Sequence, residues 1–168
     1  RKLVSAEAGT PQGAVASPLL ANIYLHYVFD LWADRWRKRQ ARGRVIIVRF
    51  ADDIIIGFEH EGEARRFLAD MRQRLEKFAL SLHPDKTRLI EFGRYAAEHR
   101  ARRGLGKPET FNFLGFTHIC GRSVSGDVFG DGHARQFHNT ALDSVHQREV
   151  HKLQQLTKND RLGFALVT

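Results

Sequence analysis

The chain has 168 residues, with 27 Lys and Arg against 19 Asp and Glu, a formal net charge of +8 and a pI near 10.1. That length suits one domain, 42% apolar residues suffice for a core, and the positive balance points to a polyanionic partner. The single cysteine, Cys120, excludes an internal disulfide framework and fits a reducing compartment; no signal peptide is evident, and the apolar runs are too short to cross a bilayer.

Taken in chain order, Arg1–Glu7 reads as a strand leading into the loop Gly9-Thr10-Pro11-Gln12-Gly13. Ser17-Pro18 then has the form of a helix start, serine capping free amides and proline losing no hydrogen bond at the first position. The helix runs over about Pro18–Ala41, and Leu20, Ile23, Tyr24, Tyr27 and Leu31 recur at helical spacing, which predicts a core-facing stripe. Its end is strongly basic: Arg35, Arg37, Lys38, Arg39, Arg42 and Arg44 crowd one stretch, with Trp32 and Trp36 interleaved. Such a cluster attracts phosphates, and indole faces can stack on bases or on arginine. It also reads as a solvated helix end whose arginines complement the macrodipole before Gly43.

Val45–Phe58 reads VIIVRFADDIIIGF, two β-branched runs flanking an aspartate pair. This predicts a buried hairpin with Ala51-Asp52-Asp53 at its tip, aspartate tolerating turn and left-handed conformations. Two adjacent carboxylates at a buried tip are costly unless compensated, and a divalent cation is the usual compensation. Alternation along a strand lets only one aspartate be the primary ligand, and Asp52 is favoured. A solvated Asp-Asp turn is the plain alternative.

A second amphipathic helix is expected from about Gly62 to Ala79, with Ala64, Phe67, Leu68, Met71, Leu75 and Phe78 on one face. After His83-Pro84-Asp85-Lys86-Thr87 come a strand candidate at Arg88–Phe92, a short basic helix at Arg94–Arg103, a loop at Gly104–Pro108, and strand character over Thr110–Cys120. Helices covering one face of a small antiparallel sheet make an α+β layout. Residues 1–123 hold 22 basic and 14 acidic side chains, whereas residues 124–168 hold 5 of each. That shift, with the glycine-rich SGDVFGDGH, sets a boundary between a charged unit at 1–123 and a tail at 124–168 of a different character. In that tail Asp127 and Asp131 fit an ordinary turn better than a calcium loop, and His133, His138, His146 and His151 form a zinc cluster only if the fold gathers them.

GTPQGAVASPLLANIYL followed by RFADDIIIGF closely resembles the palm domain of reverse transcriptases, most closely those encoded in group II introns, the bacterial intron maturases. Leu75 to Thr87, ending in the lysine–threonine pair, and Phe111-Asn112-Phe113-Leu114-Gly115-Phe116 are similar to two further family segments, in the same order. The resemblance spans Ser5 to about Ser123. It implies a palm-like α+β sheet and RNA-directed DNA polymerisation, with a primer 3′-hydroxyl attacking a deoxynucleoside triphosphate under two Mg²⁺ ions. By resemblance, Asp52 and Asp53 are the catalytic, metal-binding pair, with Asp53 the less direct contributor. Gly9, Thr10, Pro11, Gln12 and Gly13 face the templating pair and incoming nucleotide, with Lys86 near the triphosphate. Phe113, Leu114, Gly115 and Phe116 support the primer end. The partners implied are an RNA template such as intron RNA, a DNA primer and deoxynucleoside triphosphates, in a bacterial cytoplasm and associated with nucleic acid. The family draws another essential aspartate from a strand upstream of the glycine–glutamine loop. Glu7 is the only carboxylate before that loop here, so the chain is expected to be a palm fragment, inactive alone. An RNA-binding maturase module without polymerisation, and a palm-like nucleotide cyclase, are the competing readings; GTPQG with a downstream FLGF argues against the cyclase.

Overall fold

The computed structural model describes residues 16–93, 95–114, 116–120, 135–136 and 162–168. The expected Arg1–Glu7 strand, the Gly9–Gly13 loop and the tail histidines lie outside the described residues.

The first helical stretch is continuous but not uniform. Helix α1 (Ala16–Leu25) passes through a π-helical turn at His26–Asp30 into α2 (Leu31–Gln40), so Ser17-Pro18 falls inside the first turn rather than at its boundary. Burial along this stretch begins only at the widened turn. Val28, Phe29, Ala33 and Trp36 enter the core, whereas the expected stripe of Leu20, Ile23, Tyr24, Tyr27 and Leu31 is exposed. A regular 3.6-residue period cannot anticipate an extra residue in one turn. Backbone carbonyls at that turn find a partner in Arg74, whose guanidinium donates to the oxygens of Val28 (2.9 Å) and Tyr27 (3.4 Å).

Strands β1 (Val45–Phe50) and β2 (Asp53–Phe58) form the predicted antiparallel hairpin, in register from Val45 opposite Phe58 to Phe50 opposite Asp53. Helix α3 (Glu61–Glu76) follows and buries Ala64, Phe67, Met71 and Leu75, four of the six residues expected on its inner face. Strand β3 (Arg88–Glu91), helix α4 (Ala96–Arg102) and the hairpin of β4 (Phe111–Phe113) and β5 (Phe116–His118) come next, with β6 (Arg135–Gln136) paired to β5. The last strand, β7 (Phe164–Val167), inserts between β2 and β3, giving a four-stranded antiparallel sheet in the order β1-β2-β7-β3.

Within the stretch 124–168 set apart by its charge, β7 is thus paired on both sides in this sheet. Leu166 is fully buried and joins the cluster of Phe29, Trp36, Ile56, Phe58, Phe67 and Met71 beneath α2 and α3. On the opposite face Leu162, Ala165 and Val167 pack with Val48, Ile55, Ile90, Phe92, Phe111 and Phe113. Gly93 shows how closely the segments fit. Its φ is +135°, and a Cβ there would lie 2.2 Å from the carbonyl oxygen of Leu162, so only glycine is tolerated. The main sheet therefore has helices on one face and the β4–β5 hairpin on the other, an α+β arrangement of palm type.

Candidate metal and nucleotide site

The site begins at the tip of the β1–β2 hairpin. Because Phe50 pairs with Asp53, only Ala51 and Asp52 form the connection. The left-handed conformation falls on Ala51, with φ of +53°, rather than on an aspartate as the sequence suggested. Both aspartates are exposed. Asp53 opens β2, and strand alternation puts it on the face of Ile55, toward the β4–β5 hairpin. Partial burial raises the Asp53 carboxyl above its ordinary range, the neighbouring Asp52 charge adds to the rise, and Lys86 opposes it. An acid held up by burial and a like charge is a group that a cation would relieve.

Lys86 lies in the turn between α3 and β3. That turn is closed by the Thr87 amide donating to the His83 carbonyl (3.0 Å) and the Asp85 amide donating to His83 Nδ1 (3.2 Å). The exposed ammonium shares a cavity of 660 Å³ with Asp52, Asp53, Thr87, Asn112 and Thr168. The Thr87 hydroxyl oxygen is buried beside this cavity without a hydrogen-bond partner among the described residues. Asn112 and Thr168 were not anticipated. The Phe-Asn-Phe alternation of β4 signals Asn112, since two inward phenylalanines require the residue between them to point away from the core. No local pattern signals Thr168, which reaches the cavity through long-range pairing: its amide donates to the Ile54 carbonyl at 3.1 Å.

The remaining expected residues divide by place. The basic run sits at the other end of the hairpin, roughly 17 Å of strand away from the aspartates, because it precedes Val45 while they follow Phe50. All six basic side chains are exposed; Arg37 and Lys38 pair with Asp34 (2.5 and 2.7 Å), and Arg35, Arg39, Arg42 and Arg44 have no ion-pair partner among the described residues. The tryptophans do not offer faces for base stacking. Trp36 is 2% exposed and donates its indole N–H to Asp70 at 2.7 Å, while Trp32 packs on Phe29 and Phe67. Phe113 is buried in the core with Phe111, and Leu114 takes a left-handed turn conformation, φ +51°. The Phe113 ring is thus not available at the surface. Gly115 and the loop Gly9, Thr10, Pro11, Gln12 and Gly13 lie outside the described residues.

Asp52 and Asp53 suit one hydrated divalent ion, since Mg²⁺ keeps several waters and is commonly held by one or two carboxylates. They do not by themselves make a two-ion cage. No group of three or more metal-ligating side chains occurs among the described residues. The central strand beside β2 carries Val167 and Thr168 at this end, neither of them an acid.

An antiparallel sheet backed by helices, with an acidic hairpin tip facing a lysine across a cavity, defines a palm of nucleotidyl-transfer type. Residues 3–118 match the family described as reverse transcriptase (RNA-dependent DNA polymerase), and the chain belongs to that family. No curated protein and no solved structure matches the chain. The family generally uses divalent metal ions, and acts with a nucleic-acid template and primer on deoxynucleoside triphosphates. No helix among the described residues is long and apolar enough to cross a membrane.

Proposed function

We propose that the chain is the palm portion of an RNA-directed DNA polymerase of group II intron type, which supplies part of a two-Mg²⁺ site and does not polymerise alone. The observation that carries this reading is the aspartate pair at the hairpin tip, opposite Lys86 in one cavity. Asp52 and Asp53 would hold an ion that organises the attacking and leaving oxygens. Lys86 is the cation available to offset charge on departing pyrophosphate. Two-metal geometry needs ligands converging from separate strands; among the described residues the cavity adds only Asp85, from the turn before β3, and no three ligating side chains come together. The further carboxylate that a two-ion site requires is assigned to a strand other than β1 and β2.

A maturase role in binding intron RNA is the second reading. It is favoured by the exposed, largely unpaired basic run at the opposite end of the hairpin, where contact with RNA would not obstruct the aspartates.

Primer extension on poly(rA)/oligo(dT) with Mg²⁺ or Mn²⁺ tests the proposal. The purified chain should give no incorporation, and adding a separately expressed fingers segment of an intron polymerase should restore Asp52-dependent synthesis. Asp52-dependent incorporation by the chain alone would contradict the half-site, and incorporation unaffected by Asp52→Asn would remove the hairpin from the chemistry.

A further inference from the structure

Strand β1 is apolar except for Arg49, which points to the helix-covered face and whose side chain is only 14% exposed. A guanidinium so placed costs several kcal/mol, roughly, unless its donors are matched. Here they are matched in a particular way. Nε and Nη2 donate to the two carboxylate oxygens of Asp30, both at 2.7 Å. Nη1 donates to the Asn22 side-chain oxygen at 2.9 Å and to the Ala51 carbonyl at 2.7 Å. One planar fork thus ties together α1, the π-helical turn and the residue immediately before Asp52.

Two features make this more than a link between helix and sheet. Asp30 closes the π-helical turn, and such turns frequently mark functional sites. Ala51, which receives the last hydrogen bond, holds a left-handed conformation that costs an alanine about 1–2 kcal/mol. Strained residues of this kind persist only where their surroundings over-determine them. A 410 Å³ cavity between α1 and the turn, bordered by Pro18, Asn22, Leu25, Ala51 and Asp52, leaves Arg49 and Asn22 as the polar bridge across that gap.

We infer that Arg49, braced by Asp30 and Asn22, is a positioning residue that fixes the Ala51–Asp52–Asp53 turn in the geometry needed for ion binding. This rests on the reading of Asp52 and Asp53 as the metal face. Lysine cannot replace it, because an ammonium lacks the fork that engages Asp30 and the Ala51 carbonyl together.

The test uses the full chain and two readouts. Amide hydrogen exchange across residues 50–54 is followed without metal, and Mn²⁺ affinity is followed by water-proton relaxation at a temperature where circular dichroism shows each variant folded. Arg49→Lys should speed exchange at Asp52 and Asp53 selectively and weaken Mn²⁺ binding about tenfold, the scale seen when groups that orient metal ligands are lost. Asn22→Ala, a milder change on a surface helix, should do both in the same direction by about twofold to threefold. Exchange at the turn unchanged in both variants, or raised equally along the whole hairpin, overturns the inference. Selective loosening of the turn with Mn²⁺ affinity equal to that of the native chain confines Arg49 to a structural role and overturns it as well. Asp52→Asn separates the two readings: if it leaves Mn²⁺ binding intact while Arg49→Lys loosens the turn, the metal assignment has failed and the bracing has not.

Discussion

The β1–β2 hairpin and strand β7 lie side by side in one sheet, yet they are assembled in opposite ways. The hairpin is contiguous, its two strands joined by two residues, and it ends in two acids. Strand β7 comes from the far end of the sequence, pairs with β2 and β3 at once, and ends at the same cavity in Val167 and Thr168. One neighbour brings charge and the other brings only backbone and packing. Closing a sheet and completing a site are thus separate demands: β7 meets the first, through Leu166, and brings no acidic side chain to the second.

The strongest way to break the comparison is to remove β7. Deleting residues 162–168 strips the strand between β2 and β3 and uncovers both clusters that Leu166 and Val167 close. Cooperative thermal unfolding followed by circular dichroism should disappear. A melting temperature unchanged by the deletion would show that the tail is dispensable, as its charge balance suggested. A gentler version is Leu166→Ala. With its side chain fully buried, the change should cost about 2–5 kcal/mol in urea unfolding. A loss under about 0.5 kcal/mol, typical of a surface position, would mean that β7 is not seated in the core.

The face of the sheet opposite the helices gives a pH test. His118 is buried, stacks on Phe111 with ring centroids 4.8 Å apart, and is pushed down to about 4 from 6.5 by burial, against a hydrogen bond to the Phe113 backbone. The folded state thus prefers neutral imidazole. Above pH 6.5 neither state binds the proton and stability is unaffected; as pH falls from 6.5 toward 4 the unfolded chain protonates first and stability is lost. The loss approaches roughly 3 kcal/mol by the lower limit. Unfolding free energies measured between pH 7 and 4 should show this decline, and His118→Leu should flatten it. A decline that persists in His118→Leu would assign the effect to carboxylates.

Smallest in effect is the basic end of the hairpin. Neutralising Arg35, Arg39, Arg42 and Arg44 should reduce the salt dependence of single-stranded RNA binding by about 0.7 in slope per residue. Neutralising Arg37 and Lys38, which already serve Asp34, should change it less. Equal effects from the two sets would show that those ion pairs open freely on binding.

How far the sequence foretold this arrangement depends on the range of the signal. The hairpin and α3 were readable because β-branched runs and 3.6-residue spacing are local patterns, and four of six predicted α3 positions are buried. The stripe of Leu20, Ile23, Tyr24, Tyr27 and Leu31 misled because the helical stretch meets the core only from Val28 onward, on a different face, and no residue type announces where that contact begins. Standing among arginines suggests that Trp32 and Trp36 stack on bases or arginine; Trp36 is buried with the Arg66 guanidinium over its ring at 5.4 Å, and Trp32 is partly buried against the core. Strand β7 was invisible as part of the sheet: Phe-Ala-Leu-Val is a short apolar run whose partners are set by tertiary pairing alone. At the candidate site, the hairpin pattern singles out Asp52 and Asp53 and the family resemblance singles out Lys86, and all three line one cavity. Asn112 stands inside a quoted family segment but shows its place at the cavity only through the alternation of β4, and Thr168 reaches it through long-range strand pairing.

If the hairpin tip is one side of a metal site, Mn²⁺ binding measured by water-proton relaxation will depend on its two aspartates. The native chain should bind Mn²⁺ weakly. Asp52→Asn should abolish the binding and Asp53→Asn should weaken it. Because the Asp53 carboxyl is raised above its ordinary value of 3.8, protons should displace the ion at a pH above that value as the solution is acidified, and this early loss should vanish in Asp53→Asn. Mn²⁺ affinity that is the same in the native chain and in the double variant Asp52→Asn, Asp53→Asn would contradict the account.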